Sequence, residues 1–132
     1  MNVLSGQIVE INVSGNLSMV TVDLKAQQWQ VIVIDTPETS HYLRPDQPIK
    51  LLFKETEVIL AKAGTRGLSL TNQIAGKINS IEKGPLLCKV ELSTELGLIR
   101  AVVPTAGLDP LDFKKGDSAI ALVKTNEIML SE

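Results

Sequence analysis

Apolar and polar residues alternate along much of the chain with a period of two, the spacing that predicts half-buried β-strands. Val20, Val22 and Leu24 fall on one face of an early strand. Cys88 begins a similar pattern in the second half, where its side chain is expected to lie in the core. Longer β-branched runs predict further strands, separated by clusters of Gly, Pro, Asn or Asp. Those runs are Gln30–Ile34, Ile49–Phe53, Val58–Ala61, Ile99–Val103, Ala119–Val123 and Ile128–Leu130.

Only two stretches are candidates for helix, and both are short. They are Pro37–Leu43 and Thr105–Phe113, and the second is interrupted by Gly107 and Pro110. The chain is therefore predicted to be all-β, with one short helical turn before the fourth strand of each half.

The sequence contains an internal repeat. Asn2-x-x-x-Gly6-Gln7-Ile8 aligns with Asn72-x-x-x-Gly76-Lys77-Ile78, 70 residues further on. Phe53-Lys54 near the end of the first half aligns with Val123-Lys124 at the same offset. Between them, Val22-Asp23-Leu24 aligns with Val90-Glu91-Leu92 at an offset of 68, which predicts a two-residue length change in one loop of each half.

Two repeats of about five short strands each are typical of two small barrels of the OB type. The first repeat is predicted at residues 1–63, a linker at 64–68 and the second repeat at 69–132. The linker assignment follows from Lys62–Gly67, which contains two glycines and no apolar pattern. Gly6 and Gly76 are expected to mark a strand bend at a barrel corner. A single β-sandwich is the alternative architecture.

Composition sets the character of the core and limits the partners. With 44% hydrophobic but only 3% aromatic residues, the core must be largely aliphatic. A net charge of −2 argues against the basic face that binding to nucleic acid requires. No apolar run is long enough for a signal sequence or a membrane span, so a cytoplasmic protein is expected. Repeats this small are marginal alone, which favours mutual packing or a homo-oligomer.

No arrangement of residues suggests catalysis. Ser-His-Asp, Cys-His and paired-carboxylate patterns are absent from the sequence. His41 is the only histidine and Cys88 the only cysteine, so neither has a partner of the kind that metal sites use. The chain is therefore interpreted as a binding protein without enzymatic activity or a bound metal ion.

The repeated pattern resembles a known family of small β domains. Its order is a polar segment ending in Asn, then Gly-x-Ile-x-x-Ile, a two-stranded meander, a Val-rich strand and a final Lys-x-x-x-Val-Ile-Leu strand. This order is similar to that of the Mop, or TOBE, domain. The second half carries Asn72-Gln73-Ile74, Cys88-Lys89-Val90 and Val102-Val103-Pro104 and is similar to the second Mop repeat of molybdate-responsive repressors. The whole chain resembles a tandem, di-Mop protein.

The resemblance implies binding of molybdate or tungstate at interfaces between Mop units. A Ser-Ala-Arg-Asn motif from one unit would act with a lysine from the last strand of a neighbouring unit. In this chain the motif falls on Ser69-Leu70-Thr71-Asn72, with Thr71 in place of the arginine, and is reduced to Met1-Asn2 in the first repeat. Lys54 and Lys124 occupy the lysine position. A hydroxyl-bearing turn of the family falls near Thr105.

Each candidate also has a structural interpretation. Lys54 and Lys124 are compatible with solvated side chains at strand ends. Ser69 and Thr71 are compatible with turn-capping hydroxyls. Asn72 and Asn2 are expected to make backbone hydrogen bonds that fix the loop leading into each repeat.

Three functions are consistent with this sequence. The first is storage of molybdate by a cytoplasmic homo-oligomer, a dimer or trimer, with no contact to nucleic acid or membrane. The second is a ligand-sensing C-terminal domain of a molybdate-responsive regulator or molybdate-transporter ATPase, which the start of the chain midway through the first motif favours. The third is an oligomerisation module whose anion site has decayed.

Overall fold

Residues 1–132 are all described in the computed structural model, which consists of ten β-strands in two five-stranded sheets. The strands are β1 (Asn2–Ser14), β2 (Leu17–Asp23), β3 (Gln28–Val33), β4 (Pro48–Phe53), β5 (Ile59–Lys62), β6 (Gln73–Lys83), β7 (Leu87–Thr94), β8 (Gly97–Pro104), β9 (Ser118–Leu122) and β10 (Met129–Ser131). Helix α1 (Thr105–Leu108) runs into a 3-10 helix at Asp109–Leu111. Two more 3-10 turns lie at Glu55–Glu57 and Thr125–Glu127. The prediction of an all-β chain with two five-stranded OB-like units is confirmed.

The two sheets exchange their last strands. The strand order is β10-β4-β1-β2-β3 in one sheet and β5-β9-β6-β7-β8 in the other. Strand β5 therefore leaves the first half of the sequence and pairs with β9, while β10 returns from the second half and pairs with β4. Each sheet therefore contains one strand from the other half of the sequence. The sheets do not coincide with the two sequence repeats. The repeat boundaries at residues 63 and 69 stay a prediction.

The strand pairing repeats at an offset of 70 throughout, including the part of the chain that aligned at 68. Val22 pairs with Ile8 in the first sheet, and Leu92 pairs with Ile78 in the second. Val22 is thus equivalent to Leu92 and not to Val90, so the predicted two-residue length change is wrong. The error has a physical cause, because a slip of two residues returns every side chain to the same face and leaves the alternating pattern unchanged.

Of the two helix candidates, only the second is helical. Residues 105–111 form α1 and the following 3-10 helix, which ends at Asp112 in the left-handed conformation with φ 49°. The stretch Pro37–Leu43 forms turns, in which Thr39 N donates to Thr36 O at 3.0 Å. The Thr39 hydroxyl also accepts from Thr36 N at 2.8 Å, and this side-chain bond competes with helix formation. None of the helices has the length and apolar character needed to cross a bilayer.

Each sheet bends at a glycine on its first long strand. A Cβ atom on Gly6 would lie 2.5 Å from Asp23 O, and one on Gly76 would lie 2.5 Å from Ser93 O. Neither position has room for a larger residue, because the neighbouring strand passes directly over it. A β-bulge follows two residues later in both strands, between Ile8 and Glu10 and at the equivalent place in β6. Glycine and bulge together curl the sheets, as the glycine pattern predicted.

One hydrophobic core of 24 buried residues runs through both halves. It is mainly aliphatic, as the composition predicted, but the first half contributes Trp29 and Phe53 with ring centroids 5.8 Å apart. The indole N–H of Trp29 donates to Gln27 Oε1 at 2.8 Å, so its one polar atom is satisfied. Cys88 is fully buried in the same core, as predicted. Because the core is continuous, the halves form one packed body.

Candidate functional site

The two candidate lysines begin identical turns. Lys54 precedes the turn Glu55–Glu57 with φ −72° and ψ 151°, and Lys124 precedes Thr125–Glu127 with φ −68° and ψ 148°. The carbonyl of each lysine accepts a bond from the backbone N–H three residues on, at 3.0 Å from Glu57 and 3.1 Å from Glu127. Both side chains are exposed. Equal backbone geometry therefore projects an unburied ammonium group from the same place in each half.

These two turns meet. Hydrogen bonding with the neighbouring Glu127 carboxyl, some burial and the like charge of Glu127 raise the pKa of Glu57. Lys54 acts in the opposite direction and lowers the same pKa. Glu57 and Glu127 are equivalent residues of the two halves, so the pseudo-twofold axis that relates the halves passes between them. Lys54 thus lies close enough to Glu57 to act on its charge.

The segment Ser69–Asn72 lies beside one of these lysines. The N–H of Val123 donates to Asn72 O at 3.1 Å, extending the pairing of β6 with β9 by one step. This bond brings the residue before β6 next to the residue before Lys124. Ser69 and Thr71 are exposed and make no side-chain hydrogen bond within the chain that would occupy their hydroxyls. Asn72 thus lies beside Val123, the residue before Lys124, and the exposed hydroxyls of Ser69 and Thr71 lie on the segment that leads to Asn72.

Asn72 has a structural role that is fully visible. Its side chain is buried, its Oδ1 accepts from Gln30 N at 2.8 Å, and its Nδ2 donates to Gln30 O at 2.8 Å. Asn2 binds Arg100 in the same way, at 2.9 Å and 2.8 Å. Each side-chain amide pairs with a backbone N–H and C=O at the edge of β3 or β8, as a neighbouring β-strand would, so these groups are not left without hydrogen bonds. Backbone hydrogen bonds were expected for both asparagines, and the structure adds that they cross between the halves.

Thr105 lies elsewhere and its hydroxyl is engaged. Its Oγ1 donates to Gly84 O at 2.8 Å and lies 3.3 Å from the Sγ of Cys88. Gly84 follows the last residue of β6, whereas Asn72 precedes its first, so the strand separates the two candidates. Thr105 therefore fastens the start of α1 to the β6–β7 turn. Its contact with an anion stays a prediction.

A charged cleft of about 270 Å³ opens on the second sheet near the Glu55–Glu57 turn. Arg100 Nε donates to Glu91 Oε2 at 3.1 Å, and Asn79 Nδ2 donates to Glu91 Oε1 at 3.0 Å. The equivalent positions of the first half hold neutral residues, namely Thr21 for Glu91 and Gln30 for Arg100. Since the cations of this cleft are balanced by carboxylates, it offers an anion no net attraction.

An apolar groove of about 280 Å³ lies on the other side of the same turn. Val58, Ile59 and Leu60 form one wall, and Val102–Pro104 with Leu108 form the other. No charged side chain lines it, so it cannot hold an oxyanion. Among the predicted residues, Lys54 and Lys124 are the exposed cations, and neither makes an ion pair within the chain.

His41 is exposed, and its Nε2 lies 3.0 Å from the Glu132 carboxylate. No group of three or more His, Cys, Asp or Glu side chains is arranged to hold a metal ion.

Two functional candidates were missed at the sequence level. They are Glu57 and Glu127, which lie close enough for Glu127 to raise the pKa of Glu57. A signal for them was present, since each follows its lysine by three residues and they recur at the offset of 70. Their contact could not be derived from that recurrence, because it depends on the strand exchange that brings the turns together.

Comparison with known proteins finds a matching domain and a relative of known function. Residues 68–130 match the TOBE domain. The chain is 27% identical over 125 residues to the molybdenum import ATP-binding protein ModC of Rhizobium etli, and the match covers 92% of this chain. It covers 32% of ModC, so the chain spans about a third of the length of that relative.

A solved structure is similar to almost the whole chain. The cytoplasmic molybdate-binding protein ModG, crystallised with molybdate bound, superposes with a TM-score of 0.87 at 23% identity, covering 98% of this chain and 94% of that one. MopII from Clostridium pasteurianum gives a TM-score of 0.48 at 25% identity, covering 50% of this chain and 100% of that one. ModG thus shares the fold of two curled five-stranded sheets. The second half of the chain therefore matches the TOBE domain, and the first half repeats its strand pairing.

Proposed function

We propose that this chain binds molybdate, or tungstate, as the free oxyanion and holds it in the cytoplasm without catalysing a reaction. The observation that carries the proposal is the recurrence of an exposed lysine at the start of the same turn in both halves, next to a shared axis. Lys54 and Lys124 are the cations, and Ser69 and Thr71 are the nearby hydroxyls. Duplication of a fold preserves its core, but a solvated lysine has no packing role that would keep it in place.

The chemistry of the ligand suits these groups. A tetrahedral dianion needs a small set of charge-assisted hydrogen bonds and no large complementary surface. Lysine serves it as a point charge that approaches from any direction. Because Thr71 stands where an arginine is expected from the family resemblance, the two lysines supply most of the positive charge. Asn72 supports the site by fixing the backbone at the end of the segment that carries Ser69 and Thr71.

Relatives of known function support the same ligand. ModG is a cytoplasmic molybdate-binding protein, and ModC is a molybdenum import protein. Both names point to the oxyanion of one element, although they describe different cellular roles. The match to ModC favours a second candidate, in which the same fold senses molybdate as part of a longer transporter ATPase.

A homo-oligomer, either a dimer or a trimer, is part of the proposal. Ser69, Thr71 and both lysines point to solvent, so a single copy encloses none of them. Large apolar side chains are also exposed, with Ile34 at 74% and Leu86 at 80%. A second copy would cover such residues and complete the anion site from the other side. Light scattering of a monomer that still binds molybdate would contradict this arrangement.

Titration calorimetry with molybdate, tungstate, sulfate and phosphate tests the function. We expect heat with molybdate, and binding weakened about tenfold or more by either Lys54→Ala or Lys124→Ala, since each removes a hydrogen bond to a charged ligand. Lys115→Ala is the control, because this exposed lysine makes no ion pair and lies in another turn. No heat with any of the four anions at millimolar concentration would leave the oligomerisation module as the remaining function.

A further inference from the structure

The two lysine turns have the same backbone but not the same charge. Lys54 and Lys124 begin them with φ of −72° and −68° and ψ of 151° and 148°. Both turns end in a glutamate, and the middle residue of each is neutral. The first turn residue differs, because it is Glu55 after Lys54 and Thr125 after Lys124. One lysine therefore has a carboxylate on the next residue, and the other has a hydroxyl.

The strands beneath the turns do not offset this difference. The Lys54 turn packs against β8, where Arg100 is the one charged residue. The guanidinium of Arg100 is already engaged, since its Nε lies 3.1 Å from Glu91 Oε2. The Lys124 turn packs against β3, which carries no charged residue. The strand under the Lys54 turn thus supplies no unpaired cation to balance Glu55.

The cleft that Glu55 lines is acidic on balance. Three carboxylates face two cations there, namely Glu55, Glu82, Glu91, Lys89 and Arg100. Seventy residues away, the equivalents of these five are all neutral: Thr125, Asn12, Thr21, Met19 and Gln30. Ser80 of the cleft has a charged equivalent, Glu10, but that residue lies on β1, two strands from β3. The surroundings of Lys54 are therefore more negative than those of Lys124.

The hydroxyls of the proposed site lie on the same side as the neutral turn. Asn72 lies beside the residue before Lys124, so the segment that carries Thr71 leads to this turn. The equivalent of Thr71 in the first half is Met1, whose thioether cannot donate a hydrogen bond to an oxyanion. Charge and hydrogen bonding thus favour the same turn, the one that begins at Lys124.

From these differences we propose that the two turns bind anions unequally, the Lys124 turn tightly and the Lys54 turn weakly, and that Thr125 and Glu55 determine the difference. The inference rests on the proposed function. A carboxylate on the next residue repels a dianion held by Lys54, and at this short range salt screens the repulsion only in part. A hydroxyl in the same place donates a hydrogen bond to the anion instead. At low concentration one anion therefore binds per chain, at the Lys124 turn.

Variants that retain one lysine measure each turn alone. Lys54→Ala leaves the Lys124 turn, and Lys124→Ala leaves the Lys54 turn. In titration calorimetry with molybdate we expect Lys54→Ala to bind about tenfold or more tightly than Lys124→Ala, because the repulsion by Glu55 adds to the missing hydrogen bonds. Equal affinities, or tighter binding by Lys124→Ala, would overturn the inference.

Exchanging the two turn residues assigns the difference to them. Glu55→Thr should tighten binding at the Lys54 turn by about three- to tenfold, so that the number of tightly bound anions per chain rises towards two. Thr125→Glu should weaken binding at the Lys124 turn by a similar factor. An exchange that leaves both affinities unchanged would show that these residues do not determine them, against the inference.

Matched controls make the same two changes elsewhere. Glu38→Thr removes an exposed carboxylate from a loop of the first half, and Ser14→Glu adds one at the exposed far end of β1. Both should bind molybdate like the wild type. If either control shifts the affinity as much as its partner variant does, net charge and not the turn residue is responsible, and the inference is wrong.

The outcomes separate this inference from the function beneath it. If both one-lysine variants bind molybdate equally well, the turns are equivalent and the inference fails, while molybdate binding itself stands. If the wild type binds no molybdate at millimolar concentration, the proposed function fails and the inference fails with it.

Discussion

The two halves of the chain share one pattern of strands but fill it differently. Trp29 and Phe53 of the first half are both fully buried, and their rings are tilted by 44° with centroids 5.8 Å apart. At the equivalent positions the second half has Ile99 and Val123, which are also buried. The first half therefore concentrates its packing in two large rings, and the second spreads it over branched aliphatic side chains. A continuous core tolerates this because total volume matters more than the identity of each residue.

Surface charge differs between the halves in the same way. Glu91 and Arg100 form an ion pair in the second half, whereas their counterparts Thr21 and Gln30 are neutral. By contrast, the residues that shape the frame and its axis are the same in both. They are the glycines at 6 and 76, the asparagines at 2 and 72, the lysines at 54 and 124 and the glutamates at 57 and 127. The halves therefore have different residues where packing can adapt. They have the same residues where their junction requires a fixed geometry.

The largest effect should come from the aromatic half of the core. Trp29→Ala is expected to cost about 4 kcal/mol of unfolding free energy, and Ile99→Ala about 3 kcal/mol, because each leaves a cavity. Since the core runs through both halves, each variant should still unfold in a single transition when followed by circular dichroism and calorimetry. Two separate transitions in either variant would show that the halves are stabilised independently.

The asparagine clamps should matter almost as much, and equally on both sides. Asn72→Ala leaves the N–H and C=O of Gln30 without partners, and Asn2→Ala does the same to Arg100. Each should cost about 1–3 kcal/mol in urea-induced unfolding. Asn126→Ala in an exposed turn is the control and should be close to neutral. A large loss for one asparagine and none for the other would mean that the clamps are not equivalent.

Much of this fold could be read from the sequence, because alternating strands and the 70-residue repeat are local signals. The exchange of β5 and β10 could not be predicted. These two strands offer the same backbone hydrogen bonds, so either of them could pair with β4 or with β9. The wrong offset of 68 at Val22 has a related origin in the two-residue period of strands. Pro37–Leu43 was misjudged as helix because the Thr39 hydroxyl competes for the backbone.

The candidate site was predictable only residue by residue. The recurrence of Lys54 and Lys124 made them candidates, and the structure gives both the same exposed geometry. The clamp made by Asn72 and the contact between Glu57 and Glu127 cross between halves. Such contacts depend on how the two sheets are joined, and no local pattern in one half carries that information.

A smaller difference between the halves concerns Thr21, which is buried with its Oγ1 lacking any hydrogen-bond partner. Its counterpart Glu91 has two partners. Thr21→Val removes the unsatisfied hydroxyl with little change of shape, so unfolding free energy should rise by about 1 kcal/mol. Thr56→Val at an exposed position is the control and should change little. A destabilised Thr21→Val variant in denaturant titrations would show that the hydroxyl is bonded in solution.

The smallest expected effect tests the carboxyl pair at the axis without any ligand. The hydrogen bond to Glu127 raises the folded-state pKa of Glu57 above its unfolded value, so the contribution of this group to stability is present at low pH and is lost as the pH rises through the folded-state pKa. Glu57→Gln removes that loss. The variant should therefore melt slightly higher than the wild type at neutral pH, and the difference should disappear or reverse on acidification. Thermal melts of both proteins between about pH 4 and pH 8 measure it. Because both side chains are accessible to solvent, the difference should shrink in high salt, and a pH-independent difference would mean that the two turns do not meet through these carboxyl groups.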